Sequence, residues 1–185
     1  MPQVDRQADG RVQLVANAAH HARVVEQGIC RAKRSIEIMT ADFKAMLVPA
    51  AGRGKGIVDV LRKQARDGVE VRLLHAGVPS SAALRDLLAA MPKNLQIRRC
   101  PRLHAKAVII DCRQMYLGSA NLTGAGLGAK GVTRRNFELG VWTEAPELID
   151  AVLDEFNALW EGHHCQTCGR RNVCPEPLEE PHLLA

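Results

Sequence analysis

An α/β domain, a mixed β-sheet flanked by helices on both faces, is the fold class that fits this chain. Stretches with apolar residues at helical spacing alternate along it with short runs rich in Val, Ile and Leu. With 185 residues and 46% hydrophobic content, the chain can bury one good core. One domain is therefore expected over residues 1–162, followed by a short cysteine-containing tail over residues 163–185. Val12, Leu14, Val15, Ala18, Ala22, Val25 and Ile29 recur at helical spacing and predict an opening helix. Residues 35–40 alternate and read as a strand. Residues 57–67 read as a helix stopped by Gly68, a residue suited to the left-handed turn that ends many helices, and residues 69–74 as the next strand. Ser80 is placed to cap a helix through Ala90. Residues 95–97 form a further strand, and residues 103–110 a buried one. After the turn residues 111–114, residues 115–117 run back to make a hairpin. Residues 137–142 are the last strand, and Pro146, whose missing N–H costs nothing in a first turn, opens a helix through Trp160.

The catalytic strand carries the chemistry. His104 and Lys106 stand two apart, so their side chains project from one face and can touch one bound group. The hairpin return brings Gly118-Ser119-Ala120-Asn121 beside them. Lys106, the Asn121 amide, the Ser119 hydroxyl and the backbone N–H groups after Gly118 would hold a phosphoryl group and offset its repulsion toward a nucleophile. His104 is that nucleophile. An isolated His-x-Lys pair is ordinary surface decoration; the whole constellation makes a phosphodiester site. Asp111 falls at the strand end, with its side chain expected on the face opposite His104 and a structural role in the hairpin.

These residues closely resemble the signature of the phospholipase D superfamily: His-x-Lys, four residues, Asp, six residues, then Gly-Ser-x-Asn. His104, Lys106, Asp111, Gly118, Ser119 and Asn121 all stand in register. The likeness is densest over residues 100–141 and extends more loosely over residues 12–161. Asn136-Phe137-Glu138-Leu139-Gly140-Val141 looks like the strand that ends the family's motif region with a carboxylate. The resemblance implies a phospholipase D-like fold and a catalytic set of His104, Lys106, Ser119, Asn121, Glu138 and Asp111. In it, Glu138 would accept a hydrogen bond from His104, fix its tautomer and stabilise its cationic form. The family's mechanism uses two histidines, one attacking phosphorus to give a phosphohistidine and the other protonating the leaving oxygen. Long members supply both from internal repeats. None of His20, His21, His75, His163, His164 and His182 is followed by Lys two residues on, so the second histidine must come from another chain. The expectation is a twofold homodimer with two copies of His104 facing across a shared cleft, and no catalytic metal.

Net charge is +5 and the sequence pI near 9.1, the sign expected for nucleic-acid contact. Two glycine-containing basic loops, residues 44–55 with Lys55 and residues 124–135 with Lys130, Arg134 and Arg135, suit a polyanionic substrate. The first lacks the Gly-Lys-Ser/Thr ending of a nucleotide-binding loop. Aromatic content is 3%, so recognition should rest on the sugar-phosphate backbone, with little sequence preference and strong salt dependence. Single-motif members of the family resemble small endonucleases, which makes cleavage of DNA or RNA the leading expectation. A phospholipid phosphodiesterase or transferase is the alternative, although the chain lacks an amphipathic segment that would place it on a bilayer. A non-catalytic DNA-binding subunit of a larger assembly is another. Some compact bacterial proteins that look like this one serve in defence against foreign DNA, which would add defence-system proteins as partners. Residues 1–10 are polar and nothing later reaches membrane-spanning length, so a cytoplasmic protein without stable membrane association is expected.

Cys165-x2-Cys168-x5-Cys174-Pro175 lies in a tail too small and polar to make its own core. In a reducing cytosol such spacing points to metal ligation before disulfides. His163 or His164 would complete a tetrahedral zinc site locally. Alternatively Cys30, with Cys100 in reserve, would complete four thiolates for a [4Fe-4S] cluster. The trio also looks like the C-terminal part of the cluster motif in nucleases of the RecB-like class, which tips the expectation toward the cluster. Either centre would staple the tail to the domain, with no part in the chemistry.

Overall fold

The computed structural model describes residues 12–43, 47–48, 55–77, 91–174 and 177–178. Its strands are β1 (Val12–Ala16), β2 (Ser35–Thr40), β3 (Leu47–Val48), β4 (Lys55–Gly56), β5 (Glu70–His75), β6 (Leu95–Arg99), β7 (Ala107–Ile110), β8 (Gln114–Gly118) and β9 (Leu139–Thr143). Two α-helices are described, α1 (Ile57–Arg66) and α2 (Pro146–Trp160), with a π-helical segment His21–Gly28 that tightens into a 3-10 turn Ile29–Arg31. Seven strands make one mixed sheet in the order β1-β9-β8-β7-β2-β5-β6, and β3 pairs with β4 separately. The β2-β5-β6 half is parallel. From β2 outward through β7, β8 and β9 to β1 every pairing is antiparallel.

Alternation along the strands divides the core in two. Ile36, Ile38, Val71, Leu73, Val108, Ile110, Tyr116 and Trp142 fall on one face, beneath Val24, Val25 and Ile29 of the first helical segment and Ile57, Leu61 and Ala65 of α1. The other face meets α2 through Met39, Leu74 and Ala107 against Phe156 and Trp160, and through Ile109 and Met115 against Ile149. Helices thus cover both faces of a mixed sheet. Burying apolar area on both sides gives the sheet its rigidity, at roughly 25 cal/mol per Å² removed from water. Among the described residues no helix is long and apolar enough to cross a membrane.

The opening differs from expectation. Val12 to Ala16 is a strand paired antiparallel with β9, from Val12↔Thr143 to Ala16↔Leu139, and the helix starts only after Asn17 turns the chain at φ 49°. Leu14 is 74% exposed and its neighbour Val15 3%, adjacent side chains on opposite faces as a strand places them. Pairing with an available sheet edge outweighed a pattern that both periods satisfied. The buried strand expected over residues 103–110 begins at Ala107, and the last strand at Leu139 rather than Phe137, which is 96% exposed. Gly68 does stop α1, at φ +95°. The helix expected from Ser80 through Ala90 lies outside the described residues.

Candidate active site

One end of the sheet gathers the motif residues. Antiparallel pairing puts the starts of β7 and β9 beside the ends of β2 and β8. The ladder continues past the strands themselves: the Gly118 N–H donates to the Lys106 carbonyl at 3.1 Å and the Ser119 N–H to the Leu139 carbonyl at 2.9 Å. His104 and Lys106, which precede β7, therefore neighbour the segment after β8 and Glu138 before β9. Lys106 is buried and His104 exposed. The Lys106 ammonium lies 3.2 Å from Nδ1 and 3.3 Å from Nε2 of His104, and donates to the His104 carbonyl at 2.6 Å. Burial pushes the Lys106 pKa down, and the nearby Glu138 charge opposes that shift.

Glu138 is also buried, and both its oxygens are engaged. The Ser119 hydroxyl donates to Oε2 and the Asn136 amide to Oε1 at 3.0 Å. Among the described residues no hydrogen bond joins Glu138 to His104, so the direct orientation of the imidazole expected from the family pattern is not made within one chain. Ser119, cross-strand neighbour of Leu139, occupies the carboxylate instead and accepts the Leu139 N–H at 3.1 Å. Asn121 is fixed through its Oδ1, which accepts the Asp42 N–H at 3.1 Å and stands 3.3 Å from the Thr40 hydroxyl.

A support beneath the site escaped the motif reading. Tyr116 is buried between Gly118 and Gly140, where a Cβ on either glycine would collide with the ring. Its hydroxyl accepts the Ala120 N–H at 3.0 Å and lies 3.0 Å from His20 Nε2. His20 Nδ1 lies 2.9 Å from the Asn17 carbonyl and must carry the proton there, so Nε2 accepts from Tyr116. Burial lowers the His20 pKa and pushes that of Tyr116 up to about 12, keeping both neutral. Asn17 closes the chain of contacts, because its Oδ1 accepts the Glu138 N–H at 3.1 Å. The only signals in the sequence were the two glycines and an asparagine able to adopt a positive φ.

The remaining predicted residues are spread more widely. Asp111, grouped with the catalytic set, sits at the far end of β7 at φ 55°. Its carboxylate accepts the backbone N–H groups of Lys33, Arg34 and Ser35 at 2.7 to 3.0 Å, which ties the start of β2 to the hairpin and leaves it out of the site. The loop over residues 124–135 leaves from Asn121 and returns at Asn136, whose N–H donates to the Ala125 carbonyl at 3.1 Å. Lys130 and Arg134 on it are exposed and Arg135 partly so. Lys55 belongs to β4, and its side chain lies outside the described residues.

In the tail, Cys165, Cys168 and Cys174 line one cavity with Cys100, while Cys30 is exposed after the first helical segment and does not line it. His164, Cys165 and Cys168 also border an adjoining cavity of about 370 Å³ whose wall includes His104. His163 is exposed. Among the described residues no three His, Cys, Asp or Glu side chains converge as a ready-made ion site.

No curated protein matches the chain in sequence. The fold is similar to that of NucT from Helicobacter pylori, with 17% identity over 82% of this chain and 96% of that one at a TM-score of 0.63. It is also similar to Nuc, a phospholipase D family member from Salmonella typhimurium, with 25% identity over 81% and 93% of the two chains at a TM-score of 0.61. The archaeal chromatin protein TrmBL2, which binds DNA, is similar at a TM-score of 0.51, with 17% identity over 85% of this chain and 55% of that one. The family model described as the cardiolipin synthase, phospholipase D-like domain matches residues 25–160. That span holds every motif residue from His104 to Glu138, and the chain belongs to the phospholipase D-like family.

Proposed function

We propose that the chain is an endonuclease-type phosphodiesterase that cleaves nucleic acid through a phosphohistidine at a site shared by two copies. One observation carries this reading: a buried ammonium lies against an exposed imidazole, at a sheet end that also holds Ser119, Asn121 and Glu138. Nε2 of His104 attacks phosphorus as the bond to the leaving ester oxygen breaks, and His104 of the partner subunit protonates that oxygen. Water then attacks phosphorus, the partner's His104 takes its proton, and the P–N bond breaks to release the monoester. Lys106 and the Asn121 amide, whose Oδ1 is already committed, stabilise charge on the phosphoryl oxygens. Lys130, Arg134 and Arg135 hold the flanking phosphates of a polyanion.

Two further features support the reading. Leu14 on β1 and Phe137 and Leu139, which flank the buried Glu138 in sequence, are 74%, 96% and 60% exposed, apolar side chains suited to cover by a second copy. The +5 charge and the basic residues Lys130, Arg134 and Arg135 favour nucleic acid over lipid. The decisive experiment compares nicking of supercoiled plasmid and hydrolysis of phosphatidylcholine, each with a His104→Ala control. Nicking lost in the control and absent lipid turnover are expected. Lipid turnover that depends on His104 would replace the nuclease reading, and DNA binding without cleavage would make the chain a binding subunit.

A further inference from the structure

The tail has an organisation that the phosphodiester reading leaves unused. Backbone N–H groups three residues apart bond in series, from Cys165 to Gly162, Cys168 to Cys165, Arg171 to Cys168 and Cys174 to Arg171, at 2.9 to 3.2 Å. They form four successive turns whose ends fall at every third residue. Cys165, Cys168 and Cys174 share that spacing, and all three line a cavity of about 60 Å³ with Cys100. Cys100 is fixed from the opposite side, its N–H donating to the His75 carbonyl at 2.9 Å. Two arginines bind the layers together: Arg170 donates to the Pro101 carbonyl at 3.1 Å, and Arg102 lies 3.5 Å from the Cys168 sulfur. Four thiols from two segments, with guanidinium groups beside them and no acid among the described lining residues, make a setting for an anionic thiolate centre.

We propose that Cys100, Cys165, Cys168 and Cys174 together ligate one thiophilic metal centre, with Cys100 rather than Cys30 as the fourth thiolate. The shared chemistry is a tetrathiolate cage, which takes either a zinc ion or an iron–sulfur cluster. All four cysteines line one cavity, yet among the described residues no three side chains stand close enough to hold an ion, so loading requires the thiols to move inward or bridging sulfide to fill the gap. Cys100 is joined to His104 by a single turn, closed by the Leu103 N–H to the Cys100 carbonyl at 2.9 Å. An occupied centre therefore holds one wall of the cavity that His104 lines, a consequence that rests on the phosphodiesterase reading, whereas the site itself does not.

The test is made on the full chain purified anaerobically, measuring zinc, iron and acid-labile sulfide per chain together with visible absorption. The expected result is about one zinc, or iron and sulfide in equal amounts with charge-transfer absorption, per chain. Zinc without sulfide identifies the single ion, and iron with sulfide the cluster. Bound metal should fall to background in Cys100→Ser and in Cys168→Ser and persist in Cys30→Ser, with circular dichroism confirming that each variant is folded. If a variant unfolds, rebinding of zinc alone to the metal-free wild-type chain, with Cys100, Cys165, Cys168 and Cys174 protected from alkylation and Cys30 not, as mapped on peptides, gives the same answer. A metal-free chain that fails to rebind zinc, or metal retained in folded Cys100→Ser, overturns the proposal. Metal content is read without any substrate, so its failure is separable from failure of the nuclease reading.

Discussion

At the residue scale, the site pairs groups that react with groups that hold them. Asn121 is the simplest to test, because Thr40 and Asp42 fix its oxygen and leave the amide hydrogens for substrate. Asn121→Ala should lower kcat by about 10²–10³-fold with little change in KM, the signature of a donor used mainly in the transition state. A raised KM with kcat unchanged would assign it to ground-state binding instead. Asp111 gives the contrasting outcome. Removing an acceptor shared by three backbone N–H groups should destabilise Asp111→Ala by about 1–3 kcal/mol in urea unfolding, with the rate per folded molecule unchanged. His20 predicts a pH effect. Burial holds its pKa below the ordinary 6.5, so its stabilising contribution is complete above 6.5 and is lost as pH falls through the folded value. The melting temperature should drop on mild acidification in the wild type, and less steeply in His20→Gln. That His104, Lys106 and Asn121 come to one end of the sheet was legible because fixed offsets from the β7–β8 hairpin dictate which segments meet. The His20–Tyr116 contact was not, since it joins residues 96 apart with no local pattern to betray it.

At the element scale, α2 is held to the sheet by polar contacts as well as by apolar packing. Arg72 of β5 donates to Glu37 of β2 at 3.2 Å and to Asn157 of α2 at 2.9 Å, and its guanidinium lies 4.8 Å from the Phe156 ring. Glu37 is buried, and burial raises its pKa against the pull of Arg72. Arg72→Met keeps the apolar stem but leaves a buried carboxylate unpaired, and should cost about 3 kcal/mol in chemical denaturation. Adding Glu37→Gln should recover part of that loss; no recovery would locate the cost in lost packing on Phe156. These strands were readable because β2 and β5 are short, largely apolar runs, as expected of strands buried on both faces. β1 was not, because Val12, Leu14 and Val15 satisfy helical and strand spacing alike until β9 offers an edge. The starts of β7 and β9 were missed for a related reason. Side chains of an active site occupy the extended residues just outside the ladder, where apolar content no longer marks the strand end.

At the scale of the whole molecule, a single chain supplies one reactive imidazole, while the proposed two-step chemistry needs a nucleophile and a separate proton donor. Glu138 is satisfied by Ser119 and Asn136 within its own chain, and the exposed Phe137 and Leu139 flank it in sequence. A second copy placed there by a twofold axis would bring two His104 side chains together and bury those apolar side chains in the same act. The dimer is therefore testable by arithmetic rather than by contact. If each active site needs both imidazoles, only dimers of two wild-type chains turn over. Co-expressing wild type and His104→Ala in equal amounts should leave about one quarter of the activity, against about one half for independent sites, because paired protomers combine at random. Phe137→Asp provides the structural arm: a charge at that position should lower the sedimentation mass toward that of the 20.2 kDa chain and reduce turnover in parallel. Activity that follows the wild-type fraction linearly, in a chain that sediments as a monomer, would require the second proton donor to come from within the chain. His164, on the wall of the cavity that His104 also lines, would then be the imidazole to replace next.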